Sequence, residues 1–544
     1  MIILLGWFLS FNQEFKITNF LNKPFMKKFR LHFVAFVVIS LFISCNQQEA
    51  VSEESDTKDR NMFGLYIPRG LTKTTEGLSP GYVMFVPTNS SSTYLVNRQG
   101  EVVHQWKSNY QMHNPYLNED GSLSALVVDP DFPVFAGGGQ AGRLQKISWD
   151  SKILWDFEYA NEEHLAHHDI AIMPNGNFLA IAWEAKTAEE VLQAGRSDDM
   201  IPKAGLWPSQ IIEVAPEGKS GGKIVWEWHI WDHLIQDNDP TKDNYGIVSE
   251  HPELLDFNKG RRLPPPITQD SLDILKARGE VRRNQTVDNR GSDVFHLNAI
   301  NYNEELDQIV FSSPALSEIF IIDHSTTTEE AAAHEGGKRG KGGDFLYRWG
   351  NPENYQQGDS THRKLFGQHD IRWVETGKPG AGNLTVYNND IPMGPDSLDY
   401  SAVYEIKPPI NQTGNYELLS NNQYGPEKQT WNYVAEDTLS FYGSFISGAH
   451  RLKNGNTFIN EGPRGRFFEV TSEGEIVWEY LNPYRGNIHK PNGDVIPAIP
   501  FAYSQFRSTF IPEDHPALKN KKLVPLDPQP EEFKLPPKPK KEKT

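Results

Sequence analysis

One block of sequence recurs along the chain, and this repeat limits the possible folds more than any other feature. Residues 450–480 hold its clearest copy: a His-led apolar strand, an Asn-Gly turn, a second apolar strand, a third strand with Glu469, and a strand centred on Trp478. Residues 168–228 hold an earlier copy with the same order of parts. Asn-Gly between apolar strands indicates a tight hairpin, because both turn residues need a positive φ. Four antiparallel strands per repeat predict one blade of a β-propeller.

The spacing of the repeats predicts an all-β fold, a six-bladed β-propeller with a few short helical or loop insertions. Blades of roughly 40 to 50 residues are typical of such repeats, so the span from Gly81 to about Pro483 has room for six. The chain holds 13 Trp, 20 Tyr and 30 Phe beside 43 Gly and 37 Pro, a composition that favours short strands and tight turns over long helices.

Two insertions and the closure of the ring are also predicted. The first insertion, 232–290, carries a short helix at 270–278, and the second, 325–343, has the Thr-, Glu- and Gly-rich composition of a mobile loop. We expect the region 94–106 to pair with the segment after Pro483, because closing the ring removes exposed sheet edges.

The N-terminal region reads as a targeting segment. Basic residues at 27–30 precede an apolar run at 33–43 and a lipobox-like Ser44-Cys45, which indicates a lipoprotein signal peptide with Cys45 as the lipidated residue. A transmembrane anchor is the alternative, but the run is shorter than the ~20 residues that a spanning helix needs. The predicted organisation is an over-extended start at 1–25, the signal peptide at 26–45, a tether and entry segment at 46–80, the catalytic propeller at 81–505, and a C-terminal extension with a Pro/Lys-rich tail at 506–544.

The net charge limits the kinds of partner that the protein can bind, and the cysteine content limits its disulfides. A formal net charge of -18 argues against nucleic acid, because a phosphate backbone selects basic surfaces. We therefore expect the protein to meet the membrane through its lipid anchor only, as an exported protein facing the periplasm or the cell exterior. Cys45 is the single cysteine, so no intramolecular disulfide is available.

Histidines stand at the start of the first strand of several repeats. Because innermost strands line the channel of a propeller, residues at equivalent positions on them converge although they are far apart in sequence. The histidines at such positions are His168, His296, His369 and His450, with His113 as a possible fifth. The sequence therefore predicts a ring of histidines in the channel.

Two alternative roles for these histidines stay open. Each could be a structural histidine that bonds a turn carbonyl, copied along with the repeat. They could also bind a metal, since imidazole is the commonest protein ligand for metals. Against a metal, the chain has no close-spaced His pair with a carboxylate on one helix, and His167 and His168, as strand neighbours, are expected to face opposite sides.

Several of these segments resemble the bacterial arylsulfate sulfotransferase (arylsulfotransferase) family. Residues 293–302, Asp-Val-Phe-His-Leu-Asn-Ala-Ile-Asn-Tyr, are similar to that family's His-x-Asn-x-Ile strand. Gln368-His369 and the strand 383–389 are similar to its Gln-His strand and the strand that follows. Residues 348–353 and 168–177 add two more matches, and the order is collinear from 81 to 483.

The resemblance implies a function and roles for residues. The family is built on a six-bladed propeller and moves a sulfuryl group from a phenolic sulfate ester to another phenol, without a nucleotide donor, cofactor or metal, through a sulfohistidine. His369 matches the nucleophile. His296 and His168 match the other channel histidines, which stabilise the sulfuryl oxygens and handle the phenolic proton. Asn298 is expected to donate a hydrogen bond to the same oxygens.

The chemistry of the residues agrees with this implication. An imidazole that is neutral near pH 7 can act as a nucleophile without further activation, and a phenolate is a good leaving group. Donors or cations must meet the charge on the equatorial oxygens, as in phosphoryl transfer. The sequence has no Gly-rich phosphate loop for a nucleotide.

The sequence departs from the family at the position that follows Ser312-Ser313. The family has a sulfate-gripping arginine there, whereas this chain has Pro314. Substrate-binding candidates that could replace it are Arg372, Arg451, Arg464 and Arg466, together with His450. Arg451 directly follows His450, so on a strand it is expected to face away from that ring.

Two further functions stay open. One is a divergent propeller hydrolase or lyase that acts on an anionic saccharide or a sulfate ester with the same histidines. The other is a non-catalytic, surface-binding propeller whose channel holds an anion or a metal.

Overall fold

Six antiparallel sheets of four or five strands follow one another around a ring, which confirms the predicted six-bladed, all-β propeller. β1 (Gly70–Thr74) is the outermost strand of the sixth blade, and β2 (Gly81–Phe85), β3 (Ser92–Asn97) and β4 (Val102–Lys107) belong to the first. The second blade contains β5 (Met112–Leu117), β6 (Leu123–Val128), β7 (Gly142–Ile147) and β8 (Ile153–Glu158). The third contains β9 (His164–Ile172), β10 (Phe178–Glu184), β11 (Ser209–Glu217) and β12 (Gly221–His229).

The remaining elements complete the ring. A short parallel pair, β13 (Leu234–Ile235) and β14 (Leu255–Asp256), precedes the fourth blade. That blade contains β15 (Ala299–Asn303), β16 (Gln308–Ser313), β17 (Glu318–Asp323) and β18 (Tyr347–Trp349); the fifth contains β19 (His369–Trp373), β20 (Leu384–Ile391), β21 (Tyr400–Ile406) and β22 (Trp431–Tyr433). The sixth contains β23 (Gly448–Arg451), β24 (Thr457–Glu461), β25 (Arg466–Val470) and β26 (Ile476–Leu481), and β27 (Ser508–Pro512) returns to the first. The α-helices are α1 (Ala188–Gln193), α2 (Gln269–Arg278) and α3 (Thr328–Ala331).

The structure is a computed structural model that describes residues 67–129, 134–278, 281–282, 284–394, 398–486 and 502–534. The chain divides into two units, 1–64 and 65–544, and the first lies outside the described residues. The predicted start, signal peptide, lipidated Cys45 and most of the tether therefore also lie outside them. Within the described ranges, none of the helices has the length and apolar character needed to cross a membrane.

The Trp-centred strands of the repeat form the packing between blades. Trp106, Trp228, Trp349 and Trp478, each on the fourth strand of a blade, are at most 2 % exposed. Replacing such a side chain with Ala costs about 3–5 kcal/mol of stability because it leaves a large cavity. The periodic tryptophans therefore stabilise the ring itself, and the channel is left to other residues.

Strands from both ends of the described chain close the ring. β27 pairs antiparallel with β2, with Phe85 opposite Ser508, and β1 pairs with β26. The segment after Pro483 thus joins the first blade, but it pairs with β2 and not with the region 94–106 that we expected. Both β1 and β27 lie outside the predicted propeller span of 81–505, because closure uses one strand from each side of it.

The insertions hold regular structure. The helix predicted at 270–278 is present as α2. For the second insertion, 325–343, we expected a mobile loop. It contains α3, which begins with a capping box between Thr327 and Glu330, and its residues bond back to Asp323.

Candidate active site

Four of the predicted histidines lie together at the channel ends of neighbouring innermost strands. His113 is on β5, His168 on β9, His296 three residues before β15, and His369 at the start of β19. The rings of His168 and His296 meet edge to face at 4.4 Å between centroids. The innermost strands bring these residues together although they span more than 250 positions of the sequence. We call these four residues and His167 the histidine cluster.

His167 joins the cluster contrary to expectation. Its Nδ1 lies 2.6 Å from the Nδ1 of His168, although neighbours on a regular strand face opposite sides. His168 has a φ of 59°, which breaks the alternation of the strand. Gly139 packs against this ring, and a β-carbon there would lie 2.3 Å from its atoms, so only glycine allows the approach. One of the two facing nitrogens must carry the proton that the other accepts.

His296 forms a dyad with a carboxylate. Its Nδ1 donates to Asp293 Oδ2, while Trp183 Nε1 donates to Asp293 Oδ1 at 3.0 Å. Burial alone raises the pKa of Asp293, but His296 and Arg261, whose guanidinium lies 3.5 Å away, lower it below its ordinary value. The carboxylate is therefore ionised and fixes the tautomer of His296, so that the lone pair of the neutral ring is on Nε2.

His369 is also held in one tautomer. Its Nδ1 is 2.9 Å from both Gly367 O and Asn389 Oδ1, which accept hydrogen bonds, so Nδ1 carries the proton. The backbone N–H of Ile446 donates to Nε2 at 3.1 Å. Ile446 has a φ of 50°, a strained conformation for a β-branched residue. Nε2 therefore carries the lone pair of the ring, and this lone pair accepts the hydrogen bond from the strained residue Ile446.

The whole cluster is neutral at pH 7. Burial lowers the pKa of His369 and of His167 to about 3, and burial together with the nearby Arg282 lowers the pKa of His113 to about 4. Burial also lowers the pKa of His168, and the neighbouring histidines add to the effect. Burial and Arg261 lower the pKa of His296, although Asp293 opposes them. Neutral imidazoles are the form that a nucleophile or a proton acceptor requires.

Arg507 supports the channel beside the cluster, and the sequence did not point to it. The guanidinium is 1 % exposed and lies 2.6 Å from Asp169 Oδ2 and 2.9 Å from Asp370 Oδ1. Burial alone lowers the pKa of this arginine, but the two carboxylates raise it above its ordinary value. Because Asp169 follows His168 and Asp370 follows His369, Arg507 fixes the strands that carry two cluster members.

His450 and Asn298, two of the predicted site residues, already have hydrogen-bond partners within the protein. His450 Nε2 accepts a hydrogen bond from the backbone N–H of Phe510 at 3.2 Å, and its ring packs against Phe458. Asn298 donates its amide to Gln368 O at 2.9 Å and accepts from Ser312 at 2.6 Å. Asn298 therefore joins the residue before His369 to the fourth blade, and its side chain already has a donor and an acceptor partner.

All four candidate arginines have carboxylate partners. Arg451 pairs with Glu405 and lies over Trp431, whereas Arg464 and Arg466 both pair with Glu461. Arg372 remains in the channel. It bonds Asp370 at 2.6 Å, and its Nη2 has no hydrogen-bond partner among the described residues.

Arg282 is a cation that no motif in the sequence indicated. It lies in the first insertion, close enough to His113 for its charge to lower the pKa of that imidazole. Burial lowers its own pKa, and no carboxylate in the described residues opposes this. Asn284, two residues after Arg282, donates a hydrogen bond from its side-chain amide to Phe135 O. Phe135 lies just before the glycines at 137–139, and Gly139 packs against His168. Within the described part of the chain, Arg282 is therefore a channel cation whose charge is not neutralised by an ion pair. Its position in an insertion, outside the repeat, gave no signal.

An aromatic residue lines the space between His113 and His168. The Phe506 ring lies 6.0 Å from His113 and 6.2 Å from His168, measured between centroids. A cavity of about 930 Å³ lies elsewhere and is bordered by Tyr94, Tyr484 and Phe533. None of the histidines lines this cavity. The candidate active site is therefore in the channel and not in this cavity.

Together these features define the class: a six-bladed β-propeller whose channel holds a cluster of neutral histidines with an arginine beside it. The family model Arylsulfotransferase (ASST) matches residues 71–481, more than half of the chain. The chain belongs to this family, as the resemblance predicted. Membership supports aryl sulfotransferase activity in a propeller.

Similarity to individual proteins is weak. No curated protein matches the chain. A protein of unknown function from Bacteroides caccae is 13% identical over 74% of this chain and 94% of its own, with a TM-score of 0.37. A catalytically inactive variant of virginiamycin B lyase from Staphylococcus aureus, solved with quinupristin, is 9% identical over 76% of this chain and 89% of its own, with a TM-score of 0.32. Similarities of this size carry no argument about function.

Proposed function

We propose that this protein transfers a sulfuryl group from a phenolic sulfate ester to a phenolic acceptor, without a nucleotide, through a sulfohistidine at His369. The observation that carries the proposal is the state of His369: a neutral ring whose Nδ1 proton is held by Gly367 and Asn389, so that the lone pair is on Nε2. Family membership supplies the type of reaction.

In the first step, Nε2 of His369 attacks sulfur, the N–S bond forms and the S–O bond to the aryl group breaks. The electron pair of that bond leaves with the phenolate. Ile446 N–H, which lies 3.1 Å from Nε2 in the free protein, loses this acceptor when sulfur binds. It is then placed to donate to a sulfuryl oxygen, as a backbone N–H does in an oxyanion hole.

The His296–Asp293 dyad handles the proton. Ionised Asp293 holds the Nδ1 proton of His296, which leaves Nε2 of His296 to accept a proton from the incoming phenol in the second step. The phenol oxygen then attacks sulfur, and the N–S bond breaks with its electron pair returning to Nε2 of His369. His296 afterwards releases its proton to solvent.

Arg282 can take the role of the sulfate-binding arginine that the family has at the position of Pro314. In this structure Pro314 begins the β16–β17 turn and offers no cation, whereas Arg282 brings its charge to the channel from the insertion. A guanidinium without a carboxylate partner can bind two oxygens of a sulfate in a bidentate way. The aryl ring of the substrate would pack against Phe506.

The test is turnover of 4-nitrophenyl sulfate with added phenol and no nucleotide. We expect His369→Ala to lose at least about a thousandfold in rate, because removing a nucleophile removes the covalent route. His362→Asn, at an exposed histidine outside the channel, is the matched control and should keep wild-type turnover.

A second measurement identifies the intermediate. The wild-type protein, quenched after addition of the donor alone, should carry one sulfuryl group on the peptide that contains residue 369. Undiminished turnover by His369→Ala, or a sulfuryl group on another histidine, would show that the nucleophile is elsewhere. Absence of turnover by the wild type would count against sulfuryl transfer as a whole.

A further inference from the structure

Outside the channel, a second cluster of titratable residues has the form of a metal site. His233 ends a turn after β12, while His334 and Asp344 lie in the second insertion and just after it. One ligand atom from each residue lies within 4.8 Å of the other two. In the part of the chain that the structure describes, this is the one group of three His, Cys, Asp or Glu residues that meets this condition.

The hydrogen bonds of His233 leave a ligand position open. Its Nε2 lies 2.8 Å from Ala331 O, and a carbonyl oxygen only accepts, so Nε2 carries a proton. Its Nδ1 faces Asp344 Oδ1 at 2.7 Å. Either a hydrogen bond or a metal ion that binds both atoms can join them.

His334 brings a third ligand to the same oxygen. Its Nδ1 lies 2.8 Å from Asp344 Oδ1, and its ring meets the ring of His233 edge to face at 5.9 Å between centroids. One metal ion can bind all three of these atoms at once.

The surroundings hold His233 in the orientation that a metal ligand needs. Trp228 stacks on its ring at 5.5 Å between centroids, and the imidazole is fully buried. A β-carbon at Gly343 would lie 2.6 Å from His233 Nε2, so only glycine leaves space for this arrangement. A second ring nitrogen that donates to a backbone carbonyl is the usual support of a metal-bound histidine.

We infer that His233, His334 and Asp344 form a binding site for a divalent transition-metal ion, with Zn²⁺ as the ion that suits two imidazoles and one carboxylate. Ligands on a tetrahedral Zn²⁺ are about 3.3 Å apart, given bonds of about 2.0–2.1 Å. The two histidine–Asp344 pairs, at 2.7 and 2.8 Å, therefore need to move apart by about 0.5 Å to reach that spacing. His334 also borders an open cavity of about 490 Å³, which leaves the fourth position accessible to water or an anionic ligand.

Such an ion would connect the third and fourth blades. His233 follows the last strand of one blade, and the other two ligands belong to the insertion before the last strand of the next. This inference is independent of the proposed sulfuryl transfer, because the three residues are not members of the histidine cluster.

The test is equilibrium binding of Zn²⁺ to the full chain after chelator dialysis, with metal content measured by elemental analysis. We expect one tight equivalent in the wild type and affinity at least about tenfold weaker in His334→Ala and Asp344→Asn. His334 is 59 % exposed, so its replacement should leave the fold intact. Co²⁺ in place of Zn²⁺ should give the visible spectrum of a nitrogen-ligated ion, and His334→Ala should lose it.

His362→Ala is the matched control, because His362 Nδ1 is also paired with one carboxylate, Asp359, at 2.9 Å on the surface. It should bind Zn²⁺ as the wild type does. Equal affinity in the wild type and His334→Ala, or no Zn²⁺ bound by the wild type, would overturn the inference and leave the three residues joined by hydrogen bonds alone.

Discussion

The burial of neutral His369 makes the stability of the protein depend on pH, and one substitution can measure this. Its pKa is about 3 in the folded protein and about 6.5 in the unfolded chain. A group with a depressed folded pKa of this kind stays neutral in the native state while the unfolded chain binds a proton. Its contribution to stability is therefore present above about pH 6.5 and is lost as the pH falls towards 3.

The magnitude follows from these two values. Between pH 7.5 and pH 5, protonation of His369 in the unfolded chain lowers the free energy of unfolding by about 2 kcal/mol. His369→Asn keeps a donor for Gly367 and Asn389 but has no titrating group. We expect this variant to lose about 2 kcal/mol less than the wild type over that pH range.

The measurement is urea unfolding at both pH values, followed by tryptophan fluorescence. The comparison uses the difference between the two pH values, so any loss of stability that is the same at both cancels. His362→Asn, at an exposed histidine, is the control and should show the wild-type dependence on pH within a few tenths of a kcal/mol. The same dependence in His369→Asn and the wild type would refute a buried, neutral His369.

Two other substitutions test the arginines of the channel. Arg282→Gln should raise the KM for the sulfate donor at least about tenfold, because a charged hydrogen bond contributes about 1.5–3 kcal/mol. Arg282→Lys should recover part of the lost affinity. An unchanged KM in steady-state kinetics would show that another group binds the sulfate. Arg507→Met should lower the free energy of unfolding by about 3–5 kcal/mol, because it leaves Asp169 and Asp370 as buried charges without a partner; a loss below about 1 kcal/mol in urea titrations would contradict the importance of this network.

The repeat was enough to predict the fold. Asn-Gly turns and Trp-centred strands are local signals, and their spacing determined the number of blades. Ring closure was predicted in part, because the pairing of β27 with β2 joins two strands that carry no sign of each other in the sequence. The family was identified from strand motifs, of which those at His168, His296 and His369 lie on or next to innermost strands. The motifs at 383–389 and 348–353 lie on or next to the second strand and the fourth strand of their blades.

The candidate site was less accessible from the sequence. The repeat placed His168, His296 and His369 on innermost strands, but equal position in the repeat did not bring His450 into the cluster. The contact of His167 with His168 depends on a positive φ that alternation rules do not foresee. Residues outside the repeat pattern, Arg282 among them, take part through tertiary contacts alone.

The second cluster shows the same limit more strongly. His233 and Asp344 are separated by 111 positions, and no spacing motif connects them. Their proximity depends on how two insertions pack against each other. Short-range metal motifs could not reveal it, because such motifs require ligands on one helix or hairpin.

The position of β27 links the histidine cluster to the order in which the chain is synthesised. Arg507 and Phe506 reach the channel just before this strand, close to the end of a 544-residue chain. A chain that stops earlier contains every histidine of the cluster but lacks the strand that closes the first blade and the cation between Asp169 and Asp370. Products that stop before β27 should therefore be inert rather than weakly active, so that a working channel indicates that synthesis has passed this strand.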